Sequence, residues 1–350
     1  MVEGTQIGAY RIVKPLGAGG MSEVWVAKHA LLGRRAAIKV LRSRLSRQSD
    51  LVRRMFNEAR IMTAIANPGI VQVFDFGFHV DGSAYIVMEL LDGETLGQRL
   101  SRRGALAAGE ALHLVRQVAS ALRAAHDHGV VHRDLKPENI FLARDPDVAG
   151  GVRAKLLDFG IAKLIGDDGV VTDESIVLGT PPFMSPEQCR GAGSVEPRSD
   201  VYSLGCVLFA MVTGEPPFDA AGSAVLAMHQ VDPTPIPSRR VPGLPAVVDH
   251  LVLRCMAKHP AERFTAGELS RAIASLLHVP WLDAGERPGA APCALPPCDT
   301  TAATHSMDAV QPSRVPWLRR LAPVAEIAVL AVVTCGMAWL AMVLVSRFAV

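Results

Sequence analysis

Nine consecutive residues, Val131-His132-Arg133-Asp134-Leu135-Lys136-Pro137-Glu138-Asn139, set an aspartate, a lysine and an amide within six positions. Further along, Asp158-Phe159-Gly160 adds a second carboxylate. These residue types suit one chemistry. Moving the γ-phosphoryl group of ATP onto a hydroxyl needs a carboxylate to orient that hydroxyl and a cation against the phosphates. It also needs an amide oxygen and a second carboxylate to hold Mg²⁺, or Mn²⁺ in its place. A loop whose polar side chains merely satisfy one another would also draw on Asp, Lys and Asn, and a lone Asp-Phe-Gly would carry little weight. The whole string, in this order, points to catalysis.

The rest of the chain must supply elements that bring these groups together. Residues 10–16, 23–29 and 35–41 read as three strands, the first two joined through Gly17-Ala18-Gly19-Gly20-Met21-Ser22. A glycine-rich hairpin lets backbone N–H groups reach phosphate oxygens without side-chain obstruction, although alone it is equally a tight turn. Lys39 stands near the end of the third strand, in Ala36-Ala37-Ile38-Lys39. Residues 50–66 carry Leu51, Val52, Met55, Phe56, Ala59, Met62 and Ile65 at helical spacing with Glu58 among them, and Asn67-Pro68-Gly69 ends that helix. Residues 70–76 and 84–90 read as a strand pair about Asp81-Gly82. An amphipathic helix over 109–128 ends at Gly129 and delivers the chain to the catalytic string. Residues 145–151 form a turn-rich insertion between two short strands. A buried helix over 199–213, nearly all apolar after Asp200, and closing helices over 247–257 and 266–277 complete the globular part.

Taken in order, these motifs resemble those of bacterial eukaryotic-like (Hanks-type) serine/threonine protein kinases, over residues 7–279. The resemblance implies an α+β, two-lobed fold, with an antiparallel sheet plus one helix in the small lobe and a mainly helical large lobe. It implies Asp134 and Lys136 as catalytic residues, and Asn139 and Asp158 as metal ligands. ATP would be bound by Leu16, Gly17, Ala18, Gly19, Gly20, Met21, Ser22, Glu23 and Val24, by Lys39 held by Glu58, and by Met88, Glu89 and Leu91 at the hinge. His132 would pack under Phe159, Asp200 would hold the catalytic-loop backbone, and Arg263 would pair with Glu187. Arg133 would meet a phosphorylated activation segment, 158–187, in which Thr172 and Ser175 are the candidate phosphosites and Thr180 a fixed contact to Asp134 and Lys136. Lys136 favours serine or threonine substrates within proteins. Two positions depart from the family pattern: Ser22 replaces the usual third glycine, and Phe183 the usual tyrosine.

The totals bound what remains. A net charge of +2 implies no polyelectrolyte partner such as nucleic acid. The six cysteines form no Cys-x-x-Cys pair and fit a reducing compartment, with Cys293 and Cys298 assigned no role. The first six residues show no basic-then-apolar leader. Prolines recur over 280–316, the composition of a disordered linker. Residues 327–345 carry no charge, and a helix over 324–345 at ~1.5 Å per residue would cross the ~30 Å core of a bilayer. Arg314, Arg319 and Arg320 before it place the kinase on the cytoplasmic side of the plasma (inner) membrane, single-pass. Only Ser346 to Val350 follow, which argues against a receptor with an outer sensor. Input would then come from the cytoplasmic side, through the helix, or by homodimerisation, for which Ala331 and Cys335 are suitably small. The alternative from another class is a catalytically inactive, membrane-tethered scaffold. Such pseudokinases usually lack one of Lys39, Glu58, Asp134, Asn139 and Asp158, and this chain has all five.

Overall fold

Six strands make the first sheet: β1 (Gln6–Ile7), β2 (Tyr10–Ala18), β3 (Ser22–His29), β4 (Arg35–Leu41), β5 (Val73–Phe78) and β6 (Ala84–Glu89). They are antiparallel, in the order β1-β2-β3-β4-β6-β5. The computed structural model describes residues 1–20, 22–159, 181–191, 195–220 and 223–277, apart from the side chains of Ser43, Arg44, Arg54 and Glu58. Nearly all of these residues belong to one compact unit, 1–218 with 225–288.

Side chains alternate across a strand, so β4 serves two cores. Ile38 and Val40 pack with Ile7, Tyr10, Ile12, Trp25 and Val87 on one face. Leu41 packs on the other with Val52, Met55 and Ala59 of α2 (Ser49–Ala64), which follows the single turn α1 (Ser43–Ser46). Lys39 shares its face with Leu41, so the strand pleat aims it at the helix side of the sheet. The predicted strands 10–16 and 23–29 extend further than expected. Pairing continues to Ala18↔Glu23 through two bulges in β2, and the Gly19 N–H closes the hairpin onto the Ser22 carbonyl. The strand predicted from residue 70 begins instead at Val73. Ile70 bridges in parallel to Leu156, and the Val71 N–H is given to the Leu156 carbonyl, so this stretch is taken by a second sheet.

That second sheet has β8 (Ile140–Arg144) between β7 (Gly93–Thr95) and β9 (Val152–Leu156). Around it stand α3 (Leu96–Arg103), α4 (Ala108–His126), the single turn α5 (Pro186–Cys189), α6 (Pro197–Thr213), α7 (Ala224–Val231), α8 (Pro237–Arg240), α9 (Ala246–Cys255) and α10 (Ala266–Leu276). Capping boxes begin α3, α5 and α10 from Thr95, Ser185 and Thr265, supplying partners for N–H groups that a helix start leaves unpaired. The centre is α6, buried from Ser199 to Val212 and ended by Gly214 in the left-handed conformation. The small sheet lobe and the larger helical lobe match the α+β, two-lobed expectation. Among the described residues no helix is long and apolar enough to cross a membrane. The expected linker 280–316 and span 324–345 lie outside the described residues.

Candidate active site

The string 131–139 has no regular structure before the 3-10 turn Pro137–Asn139, so its backbone N–H groups need partners from elsewhere. The Asp200 side chain, 1% exposed at the start of α6, supplies them. Its Oδ2 accepts from the His132 N–H at 2.8 Å, and its Oδ1 from the Arg133 N–H at 2.9 Å. His126, in the last turn of α4, reaches the same Oδ2 with Nε2 at 2.8 Å. Arg133 has φ 63°, a left-handed backbone rare outside glycine, and its carbonyl accepts from Gln188 Nε2 of α5 at 2.6 Å. Three helices thus hold one strained loop. His132 is fully buried. Burial pushes its pKa down, and its neutral ring donates from Nε2 to the Leu157 carbonyl at 2.9 Å while lying 4.7 Å from the Phe159 ring. It is structural, as expected.

Beyond this hub the chemical groups converge. Asp134 Oδ2 receives Lys136 Nζ at 2.9 Å and Asn139 Nδ2 at 3.1 Å. The Asn139 amide also donates to the Asp134 carbonyl at 2.8 Å, while the Asn139 carbonyl accepts from the Leu157 N–H at 2.9 Å. That last bond fixes the residue before Asp158. Asp158 itself has φ 45°, and its Oδ1 lies 2.5 Å from Lys39 Nζ. The carboxylate is 52% exposed, so its enclosure is that of a concave wall rather than of a core. That enclosure pushes its pKa up, and the Lys39 ammonium outweighs it and holds the group below the usual carboxylate range. Lys39 of β4, the loop residues Asp134, Lys136 and Asn139, and Asp158 therefore stand together. Lys39 meets Asp158; the Glu58 side chain expected beside it lies outside the described residues, although α2 carries that position.

The donor set suits a divalent cation of one kind. Among the described residues no group of three His, Cys, Asp or Glu forms a cage. An amide oxygen from Asn139 and a carboxylate from Asp158 are hard donors too few to hold an ion alone. Mg²⁺ fits such a pair, because it keeps waters and shares its remaining positions with phosphate oxygens.

On the nucleotide side, Leu16, Gly17 and Ala18 end β2, and Ser22, Glu23 and Val24 begin β3. Across the turn the Gly19 N–H bonds the Ser22 carbonyl at 2.8 Å, and Arg42 Nη2 reaches the Gly19 carbonyl at 3.0 Å. Met21 lies outside the described residues. Met88 and Glu89 end β6, with Leu91 just beyond. The Glu89 N–H is given to the Gln72 carbonyl. Glu89 Oε1 accepts from the Gln72 N–H at 2.8 Å and from Lys155 Nζ of β9 at 2.7 Å, tying the two sheets behind the hinge. Thr172, Ser175 and Thr180 lie outside the described residues.

Arg263 and Glu187 pair as expected, with Nη1 to Oε1 at 2.7 Å and Nη2 to Oε2 at 3.0 Å. The remaining guanidinium donors go to the carbonyls of Ala257, Arg198 and Lys258. Burial pushes the Glu187 pKa up, but Arg263 and Ser199 outweigh it and hold the carboxyl low. Sequence reasoning missed His126, Gln188, Arg42 and Lys155. None belongs to a compact motif, and only position in the fold assigns them work.

A model of the protein kinase domain matches residues 10–282. Serine/threonine-protein kinase Pkn1 of Myxococcus xanthus is 42% identical over 264 residues, covering 75% of this chain and 37% of that protein. Serine/threonine-protein kinase PknJ of Mycobacterium tuberculosis is 42% identical over 294 residues, covering 83% of this chain and 49% of that one. The chain thus spans less than half the length of these relatives. Among solved structures, the PknI kinase domain of M. tuberculosis aligns with a TM-score of 0.63 at 29% identity, over 80% of this chain and 100% of that one.

Proposed function

Because the chain belongs to the protein kinase domain family, we propose that it is a serine/threonine protein kinase, transferring the γ-phosphate of ATP to hydroxyls of protein substrates. One observation carries this reading. Lys39 meets Asp158, the residue before Asp158 is bonded to Asn139, and Asn139 meets Asp134, so the chemical groups form one continuous assembly. Asp134 orients the attacking hydroxyl and accepts its proton. Lys136, already against Asp134, offsets charge on the transferring group, and Lys39 does so on the remaining phosphates. Asn139 and Asp158 would hold Mg²⁺, which neutralises phosphate charge when bound. The presence of the whole set in one chain weighs against an inactive scaffold. The names of the relatives and Lys136 both favour serine and threonine over tyrosine.

Regulation and placement belong to the same reading. Thr172 and Ser175 receive phosphate by autophosphorylation and meet Arg133. Residues 324–345 anchor the chain in the plasma membrane with the kinase on the cytoplasmic side, which the charge-free run 327–345 and the arginines before it support. Incubating the full-length protein with MgATP, followed by mass spectrometry, tests the activity and the sites together. Added phosphate at Thr172 or Ser175 is expected. A preparation that labels neither itself nor any added protein overturns the kinase reading. Extraction of the membrane fraction with alkaline carbonate tests the anchor, since a merely adherent protein is released.

A further inference from the structure

The aim of a side chain depends on the backbone that carries it. Asp134 hangs from the peptide unit that joins it to Arg133, and that unit presents one carbonyl and one N–H. The N–H turns back to the His132 carbonyl at 2.8 Å, across an Arg133 held at φ 63°. Asp200 fixes the two N–H groups upstream of this unit. The Arg133 carbonyl, on the unit's other side, accepts from Gln188 Nε2 at 2.6 Å. Gln188 lies 55 positions further along the chain, so nothing local to the loop enforces the contact.

Gln188 is held from its own end as well. It is the third residue of α5, with Oε1 accepting from the Ser185 N–H at 3.0 Å and its own N–H reaching Ser185 Oγ at 3.4 Å. A carboxamide has one accepting end and one donating end. With Oε1 on an N–H, the NH₂ end is the one left for the Arg133 carbonyl, so the bonds on both sides agree on one orientation of the amide. The turn α5 is itself anchored. Ser185 is fully buried, and Glu187 takes Arg263 on both oxygens and the Ser199 hydroxyl on Oε1. The cap alone does not call for glutamine, because glutamate serves equally at this position of a capping box. Glutamate would keep the bond to the Ser185 N–H and set its second oxygen against the Arg133 carbonyl, where two acceptors repel. What glutamine adds is the donor, and the donor goes to the carbonyl next to Asp134.

We propose that Gln188 is a positioning residue for Asp134, an arm from α5 that sets the peptide plane from which the carboxylate leaves. The proposal rests on the kinase reading for its reaction, but not for its geometry. Misplacing a reacting group by about 1 Å can cost on the order of 10²-fold in rate. Two variants test the arm in the full chain: Gln188→Glu keeps the cap and loses the donor, and Gln188→Met loses both. Hydrogen exchange at pH 7 is read first, because it needs no turnover. Gln188→Glu is expected to speed exchange at the Asp134 amide about fivefold or more, with the Ser185 amide within about twofold of wild type. Steady-state kinetics at pH 8 on a serine-containing peptide should then show kcat down about tenfold or more in both variants, with KM for peptide and for ATP within about twofold. As pH falls to 5.5, the introduced carboxyl takes up a proton that it can donate to the Arg133 carbonyl, and a facing acceptor favours that neutral form. The deficit of Gln188→Glu should therefore shrink to about threefold or less, while that of Gln188→Met stays near its value at pH 8. Unchanged exchange at Asp134 in Gln188→Glu, or deficits that run parallel in the two variants from pH 8 to 5.5, overturns the proposal. A wild-type protein that transfers no phosphate, while exchange at Asp134 still quickens in Gln188→Glu, removes the kinase reading and leaves the arm standing.

Discussion

Asp134 and Asp158 are both carboxylates, yet their surroundings suit them to different work. Asp134 takes Lys136 and the Asn139 amide on one oxygen, within a loop whose backbone is fixed by Asp200. Asp158 is held in a left-handed conformation and drawn to Lys39. Replacing Asp134 by asparagine keeps the shape and removes the base, so kcat should fall by about 10²–10⁴-fold, the usual worth of a positioned acid or base. The unfolding midpoint should stay near wild type, because a carboxylate 21% exposed is not a packing element. Radiolabelled ATP with a fixed protein substrate reads the first quantity, and urea denaturation the second. Asp158→Asn is the matching test of the metal role, since asparagine tolerates φ > 0 better than alanine. Transfer should become strongly dependent on Mg²⁺ concentration or disappear. These positions were legible in the sequence because their types and order are fixed by the chemistry. His126 was not, since a histidine near a helix end looks the same whether or not it faces a buried aspartate.

At the scale of elements, α6 is the part on which the others depend. Its apolar run made it readable in advance, and it lies buried over the whole stretch from Ser199 to Val212. Short pieces escaped the sequence reading: β1, β7, α1, α3, α5, α7 and α8 show too few turns or pleats for a period to emerge. The strand ends near residue 18 escaped it too, because bulges in β2 let pairing continue through glycines. Gly205 shows what helix propensity alone would mispredict. Alanine in a helix interior gains about 1 kcal/mol over glycine. Here, however, a Cβ would stand 2.7 Å from Cys255 Cβ and 2.8 Å from Met256 Cγ, where α9 crosses α6. Overpacking of that kind costs about 1–3 kcal/mol. The second effect wins, and Gly205→Ala should destabilise by roughly 1–2 kcal/mol, read as a lower midpoint in urea. The Arg263–Glu187 pair should matter more. Arg263→Ala leaves Glu187 buried without its cation, at a cost of about 3–5 kcal/mol. An unchanged midpoint in Arg263→Ala would mean that water reaches Glu187.

Over the whole molecule, lobes of different construction meet through a few charged contacts, Lys39 with Asp158 and Glu89 with Lys155 among them. The two-lobed plan was readable because strand and helix periodicities separate cleanly along the chain; the ties behind the hinge were not, since each joins residues from distant segments. The same burial that builds the large lobe makes its stability sensitive to acid. Burial first, and then the charge of Lys258, depress the His229 pKa from 6.5 to about 4, against the smaller opposing pull of the Pro182 and Pro181 backbone. Between those values the unfolded chain binds a proton that the folded chain refuses. Stability from this group is therefore complete above about pH 6.5 and is lost as pH falls toward 4, by about 3 kcal/mol in all. His132, also pushed down by burial, acts in the same direction. The carboxyls of Glu187 and Asp158, held low in the folded chain, add their loss only below the ordinary carboxylate range. Urea unfolding at pH 7, 6 and 5 should accordingly show a falling free energy before the depressed carboxylates titrate, opposed in part by Glu138, whose carboxyl burial pushes up. His229→Leu should flatten that fall by up to ~1.4 kcal/mol per pH unit, the limit for one proton. Wild type and variant running parallel from pH 7 to 5 would mean that His229 takes up its proton without unfolding the lobe around it.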